Sequence, residues 1–508
     1  MMTQEQLVAK GQDLYGQVDA LVELIYSAIQ EEVPMHDVEK NVLARVLEIG
    51  RGSLQLLFDA LGTGDVGPTV ELPDGQVLKR LEDLRKRSYQ SIFHEFELER
   101  YVYAEREGQK IEFVPLDARL ALPDSKFSFL LQDFDQNLTM EQPFGQVKQT
   151  IARILGVEQH VDSLERMNRK MGEHVEAFHF KQQPPPAEEE AAIVVETADG
   201  KGIPIRRPAD APPIQDHERR SGPKPDRKKM ATVASVYTVD PFVRTPEEVV
   251  ESLFRDPQIK DKDKKSKRKR PRPRHRRMRA SLNFVNFQGD PICGRAAMFG
   301  WMTDEIAWRN PDGRKPLVSI MDGEESLWRE LEVFQDHLDR VEILDLLHVT
   351  PRLWDAARLF CDSNTHAEHY VRERVTKILC GDSPGVVRGM RQMASRRGFS
   401  GKAKEKVDKI CNYFEKNHHR MRYDQYLAAG YPIASGVIEG ACRHVVKDRM
   451  ERTGMNWIIE GAQPMLDLRC VFLSGQWDEF MESYINSQIK STHPYRAMID
   501  SLPWQMAV

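Results

Sequence analysis

Two short apolar runs, each broken at an Asp-Gly pair, organise the hydrophobic pattern of this chain. Ile193-Val194-Val195-Glu196-Thr197-Ala198 leads into Asp199-Gly200, and Leu317-Val318-Ser319-Ile320-Met321 leads into Asp322-Gly323. Each run predicts a buried strand that stops at its Asp-Gly turn. Three further runs predict strands: a short second one at Ile203–Ile205, a third at Met230–Tyr237 and a fifth at Val341–Leu344, Leu317–Met321 being the fourth. Helical periodicity marks both ends of the chain. Leu21, Leu24 and Ile25 belong to one helix, and Leu43, Val46, Leu47, Leu54, Leu57, Phe58 and Leu61 to a second, with Pro34 between them. Such a stripe serves packing or dimerisation. Helical spacing returns from about residue 352 and dominates to the end.

Between these regions the pattern changes twice. Residues 90–115 predict a β-hairpin, with Phe96, Leu98 and Tyr101 leading to a turn near Glu107-Gly108 and Ile111-Glu112-Phe113-Val114 returning. Residues 143–178 predict a helix-turn-helix: Val147, Ile151, Ile154 and Leu155 line the first helix, Gly156 breaks it, and Val161, Leu164, Met167 and Met171 line the next. Arg166, Arg169 and Lys170 then lie on the exposed side of the second helix, placed to enter a DNA major groove. A plain helical hairpin explains the same pattern. Gln182-Gln183-Pro184-Pro185-Pro186 and the three glutamates after it form a linker, and a second Pro-rich stretch runs from Pro204 to Pro225. The organisation expected is a helical region at 1–88, a β-hairpin and connecting segment at 89–140, the helix-turn-helix at 141–181, a linker at 182–190, an α/β domain at 191–480 and a tail at 481–508. Within the α/β domain we expect a basic loop at 260–279 and a helical insertion at about 352–430.

Composition narrows the class. A chain of 508 residues holds two to four domains, and 40% apolar with 30% charged residues describes a soluble protein with sizeable cores. No apolar run is long enough to span a membrane, and Met1-Met2-Thr3-Gln4-Glu5-Gln6 does not read as a signal peptide. Six scattered cysteines without a C-x-x-C pair point to reduced thiols and against a zinc ribbon or a disulfide frame. The net charge of −5 hides a strong asymmetry, because Lys260 to Arg279 carries thirteen Lys or Arg against two Asp. Lys267, Arg268, Lys269 and Arg270 sit at its centre. Such a run binds a polyanion, acts as a nuclear-import signal or is a solvated loop.

The candidate chemistry lies in three carboxylates. Asp199 and Asp322 end their strands, and Glu439 sits in Gly436-Val437-Ile438-Glu439-Gly440 at the mouth of a basic helical segment. Two strand-end aspartates and a helix-borne glutamate suit a pair of divalent ions engaged in phosphodiester chemistry. Mg²⁺, or Mn²⁺ in its place, prefers such hard oxygen ligands. The plain alternative is that each Asp-Gly is an ordinary turn. Arg443 and Lys447 follow Glu439 at i+4 and i+8, which puts the three on one helix face. They contact DNA phosphates there, or Arg443 pairs with Glu439. Arg449 continues the same basic segment. Trp457 either stacks on an unpaired base or belongs to the core.

The order of strands and helices and several phrases together resemble bacterial insertion-sequence transposases of the DDE type, closest to the Kra-type group and related to Mutator-like transposases. The phrases are Asp199-Gly200-Lys201-Gly202-Ile203-Pro204, Ile320-Met321-Asp322-Gly323, Glu342-Ile343-Leu344-Asp345-Leu346-Leu347-His348 and the long stretch from Tyr431 to Met455. The resemblance covers about residues 190–480. It implies an RNase H-like α/β catalytic core with a mixed five-stranded sheet and an all-helical insertion, preceded by a mostly helical N-terminal region. It implies that Asp199, Asp322 and Glu439 form the metal-binding triad, and that Asp345 and His348 match a supporting D-x-x-H element. His348 then positions a phosphate or bonds to Asp345. The activity implied is metal-dependent cleavage of double-stranded DNA at transposon ends and joining to a target. Two Mg²⁺ ions, a homo-oligomer on DNA, no membrane partner and a cytoplasmic, nucleoid-associated location in a bacterium follow from the same likeness. The family usually carries a cysteine-bearing knuckle before its Pro-Leu-Asp segment. Here Tyr103–Gly108 has no cysteine ahead of Pro115-Leu116-Asp117, so no zinc is expected. The acidic turn Glu324-Glu325 adds carboxylates that bind metal or cap the next helix. Two other classes compete: a transposase-derived DNA-binding protein without catalysis, and a structure-specific nuclease that cuts without joining.

Overall fold

The computed structural model describes residues 4–106, 108–206, 228–254, 269–286, 289–452 and 454–504. Lys267, Arg268 and most of the second Pro-rich stretch lie outside them. The chain divides into two compact units, one built from residues up to His174 together with those from Trp477 onward, the other from Val175–Gln476.

The first unit opens with helices α1 (Gln4–Lys10), α2 (Gln12–Gln30) and α3 (Met35–Leu61). Pro34 occupies the N-cap of α3 and separates the helices as its missing N–H predicts. α2 and α3 run antiparallel: Gly11 faces Leu56, while Gly52 faces Leu14 and Gln17. Strands β1 (Thr69–Glu71), β2 (Val77–Arg80), β3 (Arg85–Ser91), β4 (His94–Arg100) and β5 (Tyr103–Ala104) follow. The hairpin is not the one the pattern predicts. β4 pairs with β3 upstream, in the register Tyr89↔Phe96, while β5 joins β2, and Phe113 meets Tyr103 only as a single bridge. β3 reads as too basic for a strand because the partner of its central arginine is remote in sequence. Arg87 pairs with Asp117 at 2.6 Å on α4 (Pro115–Leu120), and Arg100 reaches the same carboxylate at 2.8 Å. Helices α5 (Phe129–Thr139), α6 (Phe144–Leu155) and α7 (Val161–Gly172) pack mutually. Gly156, at φ 69°, ends α6 as expected, and Val147, Ile151, Leu164, Met167 and Met171 are buried between them.

The second unit is a mixed α/β body. After α8 (Val175–Lys181) come β6 (Ile193–Pro204), β7 (Lys228–Val239), α9 (Pro246–Leu253), β8 (Arg274–Ser281), and the two-residue strands β9 (Phe284–Val285) and β10 (Pro291–Ile292). Helix α10 (Gly294–Arg309), β11 (Leu317–Met321), α11 (Glu325–Gln335) and β12 (Val341–Leu344) complete the sheet region. The five-stranded sheet has the order β12-β11-β6-β7-β8. β6, β7 and β8 are antiparallel neighbours, whereas β11 and β12 run parallel to β6.

Two expectations about these strands need correction. Ile203–Ile205 is not a separate strand, since β6 runs unbroken through Asp199-Gly200 to Pro204 and Asp199 lies opposite Val233. The third strand of the sheet is β8, taken from the end of the expected basic loop. Arg274–Arg279 tolerates a sheet because partners on α10 match its charges: Arg277 pairs with Glu305 at 3.1 Å, and Arg279 lies 5.1 Å from the ring of Trp301. Met278 and Ala280 face inward between them.

Apolar residues cover both sheet faces. Val194, Ala198, Leu317 and Met321 pack with α10 and α11 through Phe299, Met302, Ile306, Leu327 and Leu331. Ile193, Val195, Val318, Ile320 and Ile343 face the opposite way, into a larger core. That core is closed by α12 (Leu346–Phe360), α13 (Asn364–Leu379), α14 (Ser383–Arg396), α15 (Gly401–Lys416) and α16 (Tyr423–Ala428), the helical stretch expected from the pattern. A short α17 (Gly436–Ala441), a π-helical turn (Cys442–Lys447), α18 (Asp448–Met450) and α19 (Ile459–Leu473) follow. The chain then returns to the first unit with α20 (Trp477–Thr492), so the described residues of the expected tail, 481–504, include helix and belong to that unit. Inside it Trp477 donates to Asp133 at 2.7 Å, and Tyr484 donates to Gln132 at 3.2 Å. Among the described residues no helix is long and apolar enough to cross a membrane.

Candidate active site

Strand register brings three aspartates into line. β11 pairs with β6 in parallel at a constant offset, Leu317 with Val194 through Ser319 with Glu196. The pairs end at Ser319 with Glu196, three residues short of Asp322 and Asp199, which share the same offset. β12 pairs with β11 as far as Met321↔Leu344, and the Asp345 amide donates to the Met321 carbonyl at 2.9 Å. Asp345 therefore follows Asp322 on the next strand. Asp199 and Asp322 share the side-chain parity of Val195 and Ile320, so both point to the sheet face that carries α12–α16. Ligands of open α/β sheets gather beyond the carboxyl ends of parallel strands, where Asp322 and Asp345 sit.

Each aspartate has a different set of partners. Asp322 Oδ1 accepts from the Tyr413 hydroxyl at 2.8 Å and from the Gly323 amide, and Oδ2 lies 3.5 Å from His348 Nδ1. Its carbonyl accepts from Trp328 Nε1 at 2.7 Å. Gly323 is required because a Cβ there would fall 2.4 Å from the Tyr413 ring. Asp199 Oδ2 accepts a long bond, 3.5 Å, from the Cys442 thiol. Burial, and then the charge of Asp199, hold that thiol far above its usual range, so it stays neutral. Asp345 is buried and caps α12 by accepting from the Leu347 amide at 2.8 Å. It also accepts from the Ser435 hydroxyl at 2.6 Å and the Ser435 amide at 3.2 Å. Burial raises its pKa against the opposing pull of those hydrogen bonds.

Ser435 is the N-cap of α17, the helix that carries Glu439. The Asp345–Ser435 pair thus ties the start of the glutamate helix to the end of β12. Glu439 itself is exposed. Among the described residues no three His, Cys, Asp or Glu side chains come together as a metal-holding group. The helix that carries Glu439, α17, packs against β6 and β7. The donor set suits a hard divalent cation, because it is carboxylate oxygen and the one nearby thiol is kept protonated.

The supporting residues fall into two groups. His348 contacts Asp322 and not Asp345 through its ring, since Asp345 caps the helix while His348 sits one turn inside it. Arg443, Lys447 and Glu439 do not share the expected α-helical face. The intervening π turn is wider, and Arg443 pairs instead with Asp448 at 3.5 Å, beside His444 at 2.9 Å. Lys447, Lys269 and Arg270 are exposed. Arg449 is completely buried, 5.1 Å from the ring of Trp457, and is not available to a phosphate. Burial lowers its pKa to about 9. Trp457 is itself buried and donates to the Met450 carbonyl at 3.1 Å, which makes it core. On α7, Arg166 is exposed, Arg169 lies 3.6 Å from Glu165, and Lys170 pairs with Asp124 at 2.9 Å. In the acidic turn Glu324 pairs with Arg295 at 3.2 Å and Glu325 with Lys416, so both carboxylates are engaged by cations.

Tyr413, Ser435 and Cys442 are the side chains that sequence reasoning did not single out. Ser435 and Cys442 flank the glutamate phrase, a signal that was present. Tyr413 lies on α15, ninety-one residues beyond Asp322, with no local signal. All six cysteines are free thiols. No protein-family model matches this chain, and no curated protein is found similar to it.

Proposed function

We propose that this chain is a metal-dependent phosphodiester-cleaving and strand-transferring enzyme of the DDE transposase type, built on an RNase H-like core. The register offset that Asp199 and Asp322 share, on adjacent parallel strands, supports the reading. Three antiparallel strands followed by two parallel ones, and the helical stretch between Asp345 and Glu439, are in keeping with it. Asp199 and Asp322, joined by Glu439 from α17, would hold Mg²⁺ or Mn²⁺ as a pair. When bound, such ions activate the attacking oxygen and neutralise the leaving 3′ oxygen of DNA.

The chain's own residues would orient this site. Tyr413 and His348 fix the Asp322 carboxylate, and Asp345 through Ser435 fixes the helix of Glu439. Lys447, Lys269 and Arg270, with Arg166 on α7, supply exposed positive charge for phosphates of double-stranded DNA, an interaction that weakens steeply with salt. Cys442, kept as a neutral thiol, limits the negative charge packed around Asp199.

One observation favours a second reading. Both oxygens of Asp322 are already engaged, by Tyr413 and by His348, as they would be in a DNA-binding protein that has no catalysis. The deciding experiment incubates the chain and Asp322→Asn with Mg²⁺ and a labelled duplex bearing the repeats that flank its own locus. Cleavage by the parent alone, with joined products, is the expected result. Cleavage without joining would make it a nuclease. Binding without cleavage by either protein would establish the second reading.

A further inference from the structure

Helix α15 leads a row of lysines to the candidate active site. Spacings of four, three, four and three residues put Lys402, Lys406, Lys409, Tyr413 and Lys416 on one stripe of the helix. The last turn of the stripe is anchored on the loop after β11, where Tyr413 donates to Asp322 at 2.8 Å and Lys416 pairs with Glu325. Its first three members are exposed, and among the described residues none of them is in an ion pair. Val407, Ile410, Cys411 and Phe414, buried on another face, hold the helix in place. Glu415 lies away from the stripe and pairs with Arg391 of α14 at 2.7 Å. Glu405 borders the row, one turn from Lys402 and from Lys409, and among the described residues pairs with neither. Other cations of the helical stretch are matched by acids: Arg358 meets Asp355 at 2.7 Å, and Arg372 and Lys377 meet Glu368 and Glu373 at 2.8 Å.

The row continues onto α12, which packs against α15. Arg352 lies one turn beyond His348 on α12, and its guanidinium sits 3.5 Å from the centre of the Tyr413 ring. Among the described residues it is in no ion pair, and its buried Nε has no hydrogen-bond partner. From Lys402 to Tyr413 the helix rises about 16 Å, at about 1.5 Å per residue. One strand of a DNA duplex places a phosphate about every 3.4 Å along the axis, so the row spans about five of them. Cations that have no carboxylate to neutralise them attract such phosphates, and the counterions released favour binding. Where the row ends identifies the polyanion, because Asp322 is the carboxylate that would hold metal beside the scissile bond.

We propose that Lys402, Lys406 and Lys409, with Arg352 nearest Asp322, hold the phosphates of the DNA strand that leads into the active site. The assignment rests on the proposed phosphodiester chemistry. Its test titrates the full chain with the labelled duplex over a salt series, without Mg²⁺ so that no strand is cut. The same titration is run on the triple variant Lys402→Gln, Lys406→Gln, Lys409→Gln and on Lys404→Gln. Lys404 is exposed on the opposite flank of α15, two residues from Lys402 and from Lys406. The triple variant should lower the slope of log affinity against log salt by about 3, and Lys404→Gln should leave it unchanged. Both should melt like the parent, since all four lysines are exposed. Arg352→Gln should lower the slope by about 1, and Arg352→Lys, which keeps the charge, should restore it. A parent without affinity for the duplex, an unchanged slope in the triple variant, or an equal loss per lysine from Lys404→Gln would overturn the proposal. Cleavage by the parent in Mg²⁺ would then still uphold the phosphodiester reading. A slope that falls as expected in a chain that never cuts would support the phosphate row and overturn the chemistry it serves.

Discussion

The Tyr413 hydroxyl donates to Asp322 Oδ1 at 2.8 Å, joining the helical segment to the carboxylate that ends β11. Three residues of the same stretch of chain make such contacts. Lys416 pairs with Glu325, and Arg420 stacks over Trp328 at 4.0 Å while pairing with Glu342 at 2.7 Å. The Arg352 guanidinium lies 3.5 Å from the centre of the Tyr413 ring on its own helix face. The loop after β11 is therefore held by helices far away in sequence. Burial and the adjacent Asp322 raise the Tyr413 pKa strongly, so the phenol remains a donor.

Tyr413→Phe removes that donor and leaves the ring. We expect a thermal stability loss of about 1 kcal/mol, the net value of one hydrogen bond. In the cleavage assay the Mg²⁺ concentration for half-maximal rate should change by several-fold, since the orientation of Asp322 is altered. An unchanged metal dependence with lowered stability would leave Tyr413 a structural residue only.

Ser435→Ala deprives the buried Asp345 of its shortest hydrogen bond. Leaving a buried acceptor short of a partner costs about 1–3 kcal/mol. Denaturant unfolding should register that loss, and cleavage should fall with it because α17 loses its tether. Ser435→Thr, which keeps the hydroxyl, should recover most of both.

Arg449 and Lys447 are two residues apart and should behave oppositely. Arg449→Ala empties a large buried site, which costs roughly 2–4 kcal/mol, and should leave the salt dependence of DNA binding unchanged. Lys447→Ala should leave the melting temperature alone and lower the slope of log affinity against log salt by about 1. Binding titrations at several salt concentrations, beside thermal melts, separate the two.

Asp135 predicts a pH dependence. It is buried in the first unit, where Gln159 donates to Oδ1 at 2.9 Å and Oδ2 has no hydrogen-bond partner among the described residues. Burial raises its pKa from 3.8 to about 7. Between those values the folded chain keeps a proton that the unfolded chain releases, so stability falls as pH rises through this window. The contribution is complete below about pH 4 and lost above about pH 7. Asp135→Asn should melt like the parent at pH 4 and above it at pH 8. Equal melting at both values would contradict the assignment.

Local pattern carried the elements whose stabilisation is local. The Pro34 boundary, the Gly156 break and the runs at Leu317–Met321 and Val341–Leu344 could be read directly, because a missing N–H, a left-handed φ and a continuous apolar run act within a few residues. Elements matched by distant partners lie outside the strands that the pattern predicts. β3 and β8 look too basic for strands until Asp117, Glu305 and Trp301 arrive from elsewhere in the chain. Arg449 looked like a phosphate ligand because nothing nearby in sequence announces its burial against Trp457.

The sequence by itself determined where the chemically distinctive carboxylates are, that an α/β body is followed by a helical stretch, and where the charge is concentrated. Only the tertiary structure decided that Asp199 lies within a strand, opposite Val233, that Asp345 holds Ser435, and that Tyr413 reaches Asp322. It also decided that residues from Trp477 onward rejoin the first unit. The physical reason is range. Turn chemistry and apolar periodicity are properties of a few consecutive residues, whereas strand register and the partner of a buried charge depend on surfaces that meet only when the chain is folded.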